Sequence, residues 1–449
     1  MRQGQLAEKI AQPAMGLIVQ ARTLLKVSLF RNSICLILNS VLPAITGFFF
    51  WTIAARMYST AEIGLASSAI SIMTLLMLLS SLGLDIGLIR FISDSRSGGT
   101  KDLLNTCFTV AGTVALVVSA VFVIGLKIWA PSLGAMRHDI VLPIVFVMFT
   151  VAFAIYTLLH YTFIARRRTE FALTETLVFS LVRFGPLILL VGFLRGFGIF
   201  VAWGCSLIIA MFTGFFLLKR IQPEYHPYVR VNTKILRDMG HFSISNYSAN
   251  LFWMAPGLIL PLMVVNRLGA ESGAYFYIGW AIANIILLIP PALSISLFAE
   301  GANNQTSLPN SVTCSLKMTI LLVCPAVALC FPLGNMVLSL FGSGYSANAT
   351  HLLWLLAIAA LPASLNQVYF SIQRVRERMR YMVAINMFIA LVTLILSYLL
   401  LPKMGIIAAG ISYLFAQTIP AAVVSVWLIN SKLIRESSEL PISNQQTSE

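Results

Sequence analysis

Short polar segments cut this chain into about twelve apolar runs, each long enough to cross a bilayer as one helix of roughly twenty residues. They predict helices over 33–55, 63–84, 103–126, 140–164, 171–194, 197–218, 242–265, 273–298, 312–336, 349–370, 381–401 and 405–430. Within the runs there is neither the three-to-four spacing of a half-exposed helix nor the alternation of a membrane β-strand. Only 10% of the residues are charged, against 58% apolar, whereas a soluble domain carries roughly a quarter charged residues. The expected fold is an all-α membrane protein with about twelve transmembrane helices and almost no mass in water.

Thirty Lys and Arg against 16 Asp and Glu give a net charge of +14. In a soluble chain that balance would suggest nucleic acid. Here the basic residues sit between the apolar runs, as expected of cytoplasmic loops that resist translocation, and no nucleic-acid partner is expected. An even number of spans puts both termini on one side. If that side is the cytoplasm, only Arg56, Lys127, Arg137, Arg195, Arg267 and Lys403 fall outside, and Arg183 lies within a span. All other basic residues are then cytoplasmic, including Arg166 to Arg168, Arg230 to Arg237 and Arg374 to Arg380. The stretch Met15 to Phe30 is interrupted by Gln20, Arg22 and Lys26, and Leu17, Ile18, Ala21, Leu24 and Leu25 recur at helical spacing. It suits an interfacial helix and lacks the cleavage site of a signal peptide.

The chain repeats itself. Asn39 and Arg56 match Asn250 and Arg267; Glu62-x-Gly64 matches Glu271-x-Gly273; Thr106-Cys107 matches Thr313-Cys314. Arg167 and Glu170 match Arg374 and Glu377, and Gly198-Ile199 with Ala202 matches Gly405-Ile406 with Ala409. The offset drifts in one direction by only a few residues. Six helices per repeat is even, so the two halves form a parallel repeat about an axis along the membrane normal, as in alternating-access transporters. The expected organisation is a cytoplasmic segment 1–31 with its interfacial helix, a six-helix lobe 32–220, a cytoplasmic linker 221–241, a six-helix lobe 242–430 and a cytoplasmic tail 431–449. A cavity between two lobes makes a transporter the leading functional class.

Arg183 is the sharpest intramembrane feature. An Arg at the bilayer centre costs about 2.5–3.5 kcal/mol on insertion scales and should face protein or a water-filled cavity. No carboxylate lies at its depth; Glu175 is about two turns nearer the cytoplasm. Arg183 reads either as a contact for an anionic substrate or as a tie to carbonyls or hydroxyls between helices. In the seventh run Asn246, Asn250, Trp253 and Gly257 share one helical face, and in the first Asn32, Asn39, Pro43 and Thr46 do much the same. Amides and an indole could bind sugar hydroxyls and stack a sugar ring, or bond helix to helix. Trp280 and Asn284 share a face of the eighth run, where packing is the simpler reading. Pro43, Pro256 and Pro261 should kink the first and seventh helices, and Pro290-Pro291 should break the eighth. Asp85 and Arg90 read as an interfacial pair.

Nothing points to catalysis. The five His are scattered, without H-E-x-x-H spacing, and there is no G-x-x-x-x-G-K-[ST]. The six Cys all lie in apolar runs without a CxxC, as small buried residues would. No metal or cofactor is expected.

The stretch from Gly47 through Phe48, Phe49, Phe50 and Trp51 to Arg56, Glu62 and Gly64 resembles the opening of Wzx-type polysaccharide flippases. So does the continuation from Ser81 through Asp85 to Arg90 and Phe91. These are members of the multidrug/oligosaccharidyl-lipid/polysaccharide exporter superfamily. The resemblance implies a flippase in the cytoplasmic (inner) membrane that moves a polyprenyl-pyrophosphate-linked oligosaccharide to the outer leaflet, for O-antigen, capsule or a similar polymer. The partners it implies are that lipid-linked oligosaccharide, membrane lipids, and a polysaccharide polymerase and glycosyltransferases. It also implies a cavity built largely from helices 1, 2, 7 and 8, whereas Arg183 is on the fifth. On this reading the candidate substrate-binding residues are Arg183, Asn39, Asn246, Asn250, Trp253 and Asn284. Two rivals stay open: a multidrug cation exporter of the same superfamily, which would be expected to carry intramembrane carboxylates, and a membrane scaffold for glycan synthesis.

Overall fold

The computed structural model describes residues 28–94, 97–137, 140–192, 196–292, 294, 308–376 and 378–430. Among these there are no strands and twelve helices long and apolar enough to cross a membrane. They are α1 (Ser28–Met57), α2 (Thr60–Ser81), α3 (Ser97–Ile124), α4 (Val141–Ala165), α5 (Thr169–Val182 with Phe184–Leu189) and α6 (Gly198–Ile221). The second half comprises α7 (Thr233–Leu268), α8 (Ala270–Leu287), α9 (Leu308–Ser339), α10 (Ser343–Val375), α11 (Met379–Met404) and α12 (Ile407–Asn430). A shorter helix, Leu84–Asp94, follows α2. Both described chain ends lie at one end of the bundle, here called proximal; the α1–α2 turn marks the distal end.

Local chemistry sets the boundaries. Ser59 opens α2 with a capping box in which its hydroxyl takes the Glu62 amide and the Glu62 carboxylate takes the Ser59 amide. Asn232 caps α7 by accepting from the Lys234 and Ile235 amides. α7 therefore starts at Thr233, inside the segment expected as a linker. The fifth span, expected as one helix over 171–194, is broken at Arg183. Pro186 is the cause: it has no amide for the Val182 carbonyl, and its ring crowds that carbonyl. α8 ends at Leu287, just before Pro290. The expected interfacial helix lies outside the described residues, except for the residues of Met15 to Phe30 that open α1, as does the tail 431–449.

The repeat is realised in packing. In the first half α3 packs on α4, α4 on α6, α6 on α5 and α5 on α1. In the second half α9 packs on α10, α10 on α12, α12 on α11 and α11 on α7, the same pairs in the same order. The halves meet chiefly where α2 crosses α8 and α7. Gly64 and Gly273, the glycines of the repeated Glu-x-Gly, lie at the α2–α8 crossing. A Cβ at Gly64 would overlap the Ala270 carbonyl, and one at Gly273 would lie 3.7 Å from the Gly64 Cα. α1 is peripheral: it leans on α5, touches α2, and exposes Ile37, Val41, Ile45 and Phe49.

Candidate functional site

Between the lobes lie two adjoining chambers. The deeper one has a volume of about 250 Å³ and is walled by α2, α7, α8, α10 and α12. Its polar wall comprises Ser71, Thr74, Tyr277, Asn284, Gln367 and Gln417, with the indoles of Trp253 and Trp280 and the ring of Tyr413. Trp280 and Tyr413 meet edge to face at 5.2 Å. A Cβ at Gly257 would lie 3.0 Å from the Trp280 indole nitrogen, so the missing side chain makes room for that ring. Gln417 is fixed by Asn366, whose amide donates to the Gln417 side-chain oxygen at 2.9 Å.

The proximal chamber, about 300 Å³, is lined by Asp85, Tyr161, Asn246, Asn250, Asn386 and Arg374 among others. Trp253 and Gln367 line both chambers and so stand where they join. The Asn386 side-chain amide is held by the Ala249 carbonyl at 3.2 Å, which ties α11 to α7. Asp85 and Arg374 are the charged side chains among the described lining residues. Asp85 is buried and accepts from the Ile86 backbone amide. Its side chain lines the chamber. Burial pushes its carboxyl above the ordinary aspartate value, against the lowering effect of two backbone amides.

The distal end is closed by bonds between the halves. Arg56 donates to the carbonyls of Leu340 and Ser339 at 3.0 and 3.3 Å. The Ser132 hydroxyl donates to the Asn266 side-chain oxygen at 2.6 Å, and the Asn266 amide donates to the Trp129 carbonyl at 3.0 Å. With the α2–α8 glycine crossing, these contacts hold the two halves together at that end.

Of the residues singled out from sequence, Asn246, Asn250, Trp253 and Asn284 come together on the cavity wall, with Gly257 continuing the α7 face. Arg183 and Asn39 do not. Arg183 is 4% exposed and donates to the Thr46 hydroxyl at 2.8 Å, between α5 and α1. Its guanidinium lies over the rings of Phe50, Phe179 and Phe184 at 4.9, 5.5 and 5.9 Å. It is among the lining residues of neither chamber. Asn39 is on peripheral α1, with both side-chain polar atoms buried and without a hydrogen-bond partner. The cavity is therefore built from α2 and the short helix after it, α4, α7, α8, α10, α11 and α12, and no described residue of α1 is among the lining residues of either chamber. Sequence reasoning missed the face Ala363, Gln367, Phe370 and Arg374 of α10, and the pair Tyr413 and Gln417 of α12. The available signal was an amide within an apolar span, Gln367 in α10 and Gln417 in α12.

The fold has clear relatives. The chain superposes on a lipid II flippase, MurJ, in an inward closed conformation with a TM-score of 0.70 at 11% identity, over 90% of this chain and 91% of that one. An inward-facing multidrug resistance MATE family transporter of the MOP superfamily gives 0.67 at 12% identity, over 88% and 96%. An outward-facing MATE family transporter gives 0.55 at 14% identity, over 92% and 96%. No curated protein matches the chain. At the level of sequence, residues 29–298 match the family model described as polysaccharide biosynthesis protein. That match spans more than half of the 449 residues, and with this multi-pass helical fold around an inter-lobe cavity the chain belongs to the polysaccharide biosynthesis protein family.

Proposed function

We propose that this chain is a flippase that carries a polyprenyl-pyrophosphate-linked oligosaccharide from the cytoplasmic to the outer leaflet by alternating access. One observation carries the reading: the inter-lobe cavity, with the halves bonded to each other at the distal end, is walled by amides and aromatic rings. Asn246, Asn250, Asn284, Gln367 and Gln417 present both donors and acceptors. Trp253 and Trp280 present flat faces for sugar rings. The loop charges support a cytoplasmic proximal end, so the cavity in this conformation would load from the cytoplasm. O-antigen, capsule and related polymers are the products this cargo would feed, and a polymerase and glycosyltransferases are the protein partners it implies.

The test is mass spectrometry of polyprenyl-linked glycans in cells lacking the gene. A complete lipid-linked oligosaccharide should accumulate and disappear when the gene is restored. An unchanged lipid pool, in a strain without a second flippase, would overturn the reading. A multidrug cation exporter is the second reading, favoured by the Asp85 carboxylate in the proximal chamber. It requires that export of a cationic dye by the purified protein depend on Asp85.

A further inference from the structure

The two charged side chains of the cavity stand on opposite halves of the molecule. Asp85 opens the short helix after α2, and Arg374 lies in the last turn of α10. Both line the proximal chamber, yet neither has an ionic partner among the described residues. One Asp85 carboxylate oxygen is buried without a hydrogen bond. The half-buried Arg374 side chain forms no hydrogen bond or ion pair among the described residues. A guanidinium offers five donors and no acceptor, in a fork that fits the oxygens of a phosphate. Around it the wall is made of Asn246, Asn250, Gln367 and Asn386, amides that can add donors to an anion.

Position gives the pair a second property. The distal end is already clasped by Arg56 and by Ser132 with Asn266. Alternating access requires the reverse state, with the distal end open and the proximal chamber closed. Closing that chamber brings the lobe of Asp85 towards the lobe of Arg374. A carboxylate and a guanidinium that line one chamber from different lobes are then set to meet.

We propose that Arg374 is the anion-binding group of the proximal chamber, where it takes the diphosphate of a lipid-linked substrate, and that Asp85 displaces this anion as its partner when the chamber closes. The inference rests on the flippase reading for the identity of the anion. The two partners of Arg374 exclude one another. A bound diphosphate holds the chamber open, and its passage to the deeper chamber frees Arg374 to draw the lobes together. Linkage makes the competition reciprocal: removing the carboxylate must strengthen anion binding.

The experiment titrates the purified full-length chain in detergent with inorganic pyrophosphate, followed calorimetrically. Asp85→Asn should bind about five- to tenfold more tightly than the unaltered chain. Arg374→Gln should bind at least about tenfold more weakly, and Arg374→Lys should fall between them. Unchanged affinity in Arg374→Gln sinks the anion site, and unchanged affinity in Asp85→Asn sinks the competition. If Arg374→Gln does not fold, Arg374→Lys and Asp85→Asn decide the matter. Displacement of pyrophosphate by phosphatidylglycerol in nanodiscs as readily as by farnesyl diphosphate would assign the site to bulk lipid and overturn the substrate assignment. In cells, single charge reversals at Asp85 and Arg374 should stop export and the double reversal should restore it. Pyrophosphate binding that depends on Arg374, without accumulation of a lipid-linked glycan in cells lacking the gene, would leave the site standing and remove the flippase reading. Accumulation with Arg374-independent binding would do the opposite.

Discussion

Arg183 and Thr46 are joined by a 2.8 Å hydrogen bond at the point where α5 breaks, and this bond fastens α5 to the otherwise peripheral α1. The guanidinium is enclosed by Phe50, Phe179 and Phe184 and lines neither chamber. Arg183→Ala should therefore act on stability. Loss of a charge-assisted bond and of ring contacts in a buried setting should cost about 1–3 kcal/mol. The expected outcome is a lower unfolding temperature in detergent, with export falling only as far as the protein level falls. Thr46→Val should reproduce part of the effect. Lost export at normal protein level and normal unfolding temperature would instead put Arg183 on the substrate path.

That residue also shows where the sequence stops speaking. A lone Arg in a span must face protein or water, but its neighbours in sequence do not say which. The break at Pro186 and the Thr46 hydroxyl decide the matter, and both depend on how α5 meets α1. Asn39 is instructive for the same reason. It is the repeat partner of Asn250, yet Asn250 lines the proximal chamber while Asn39 keeps its side-chain polar atoms buried on α1. The halves share an ancestral helix order and not an environment, because α7 stands at the lobe interface and α1 stands outside it. The α7 face was readable because Asn246, Asn250, Trp253 and Gly257 repeat with the helix. Arg374 was hidden by its neighbours: Arg376, Arg378 and Arg380 make the cluster look like a topology signal alone. The twelve spans were readable throughout, since run length and hydrocarbon thickness leave few alternatives.

Asp85 should make stability depend on pH. Its folded-state carboxyl sits above the ordinary value because burial penalises the charged form. The native state therefore holds this proton at pH values where the unfolded chain has lost it. Stability from this group is greatest at low pH and declines as pH rises from the ordinary carboxylate range through the raised folded value. Asp85→Asn removes the dependence. Unfolding temperatures measured from about pH 4 to about pH 8 should show a flatter profile for the variant and a higher value at the neutral end. A variant profile parallel to that of the unaltered chain would show that Asp85 is not penalised in the fold.

Trp253 stands where the two chambers join and is 42% exposed, so its ring contributes little to the packed interior. Trp253→Ala should leave the unfolding temperature within a degree or so of the unaltered chain's while cutting export about tenfold, the loss expected for a stacking surface. Trp253→Phe should keep most of the activity, because the flat face survives. Equal export by all three would separate the indole from cargo recognition.

The crossing of α2 and α8 offers a test of the closed distal end. At Gly64 a Cβ would overlap the Ala270 carbonyl, which is backbone and cannot rotate away. Gly64→Ala must therefore push the two helices apart, and Gly64→Val should do so further. Since Arg56 and Ser132 clasp the same end, the strain falls on the closed state and shifts the population towards one with this end open. A cysteine placed at Ala270 should then react faster with a membrane-impermeant maleimide added from outside, by about tenfold for a shift of roughly 1.4 kcal/mol. The rate should rise from Gly64→Ala to Gly64→Val. Labelling that is unchanged in both variants, in protein that still exports its cargo, would mean that the α2–α8 crossing does not separate the two access states.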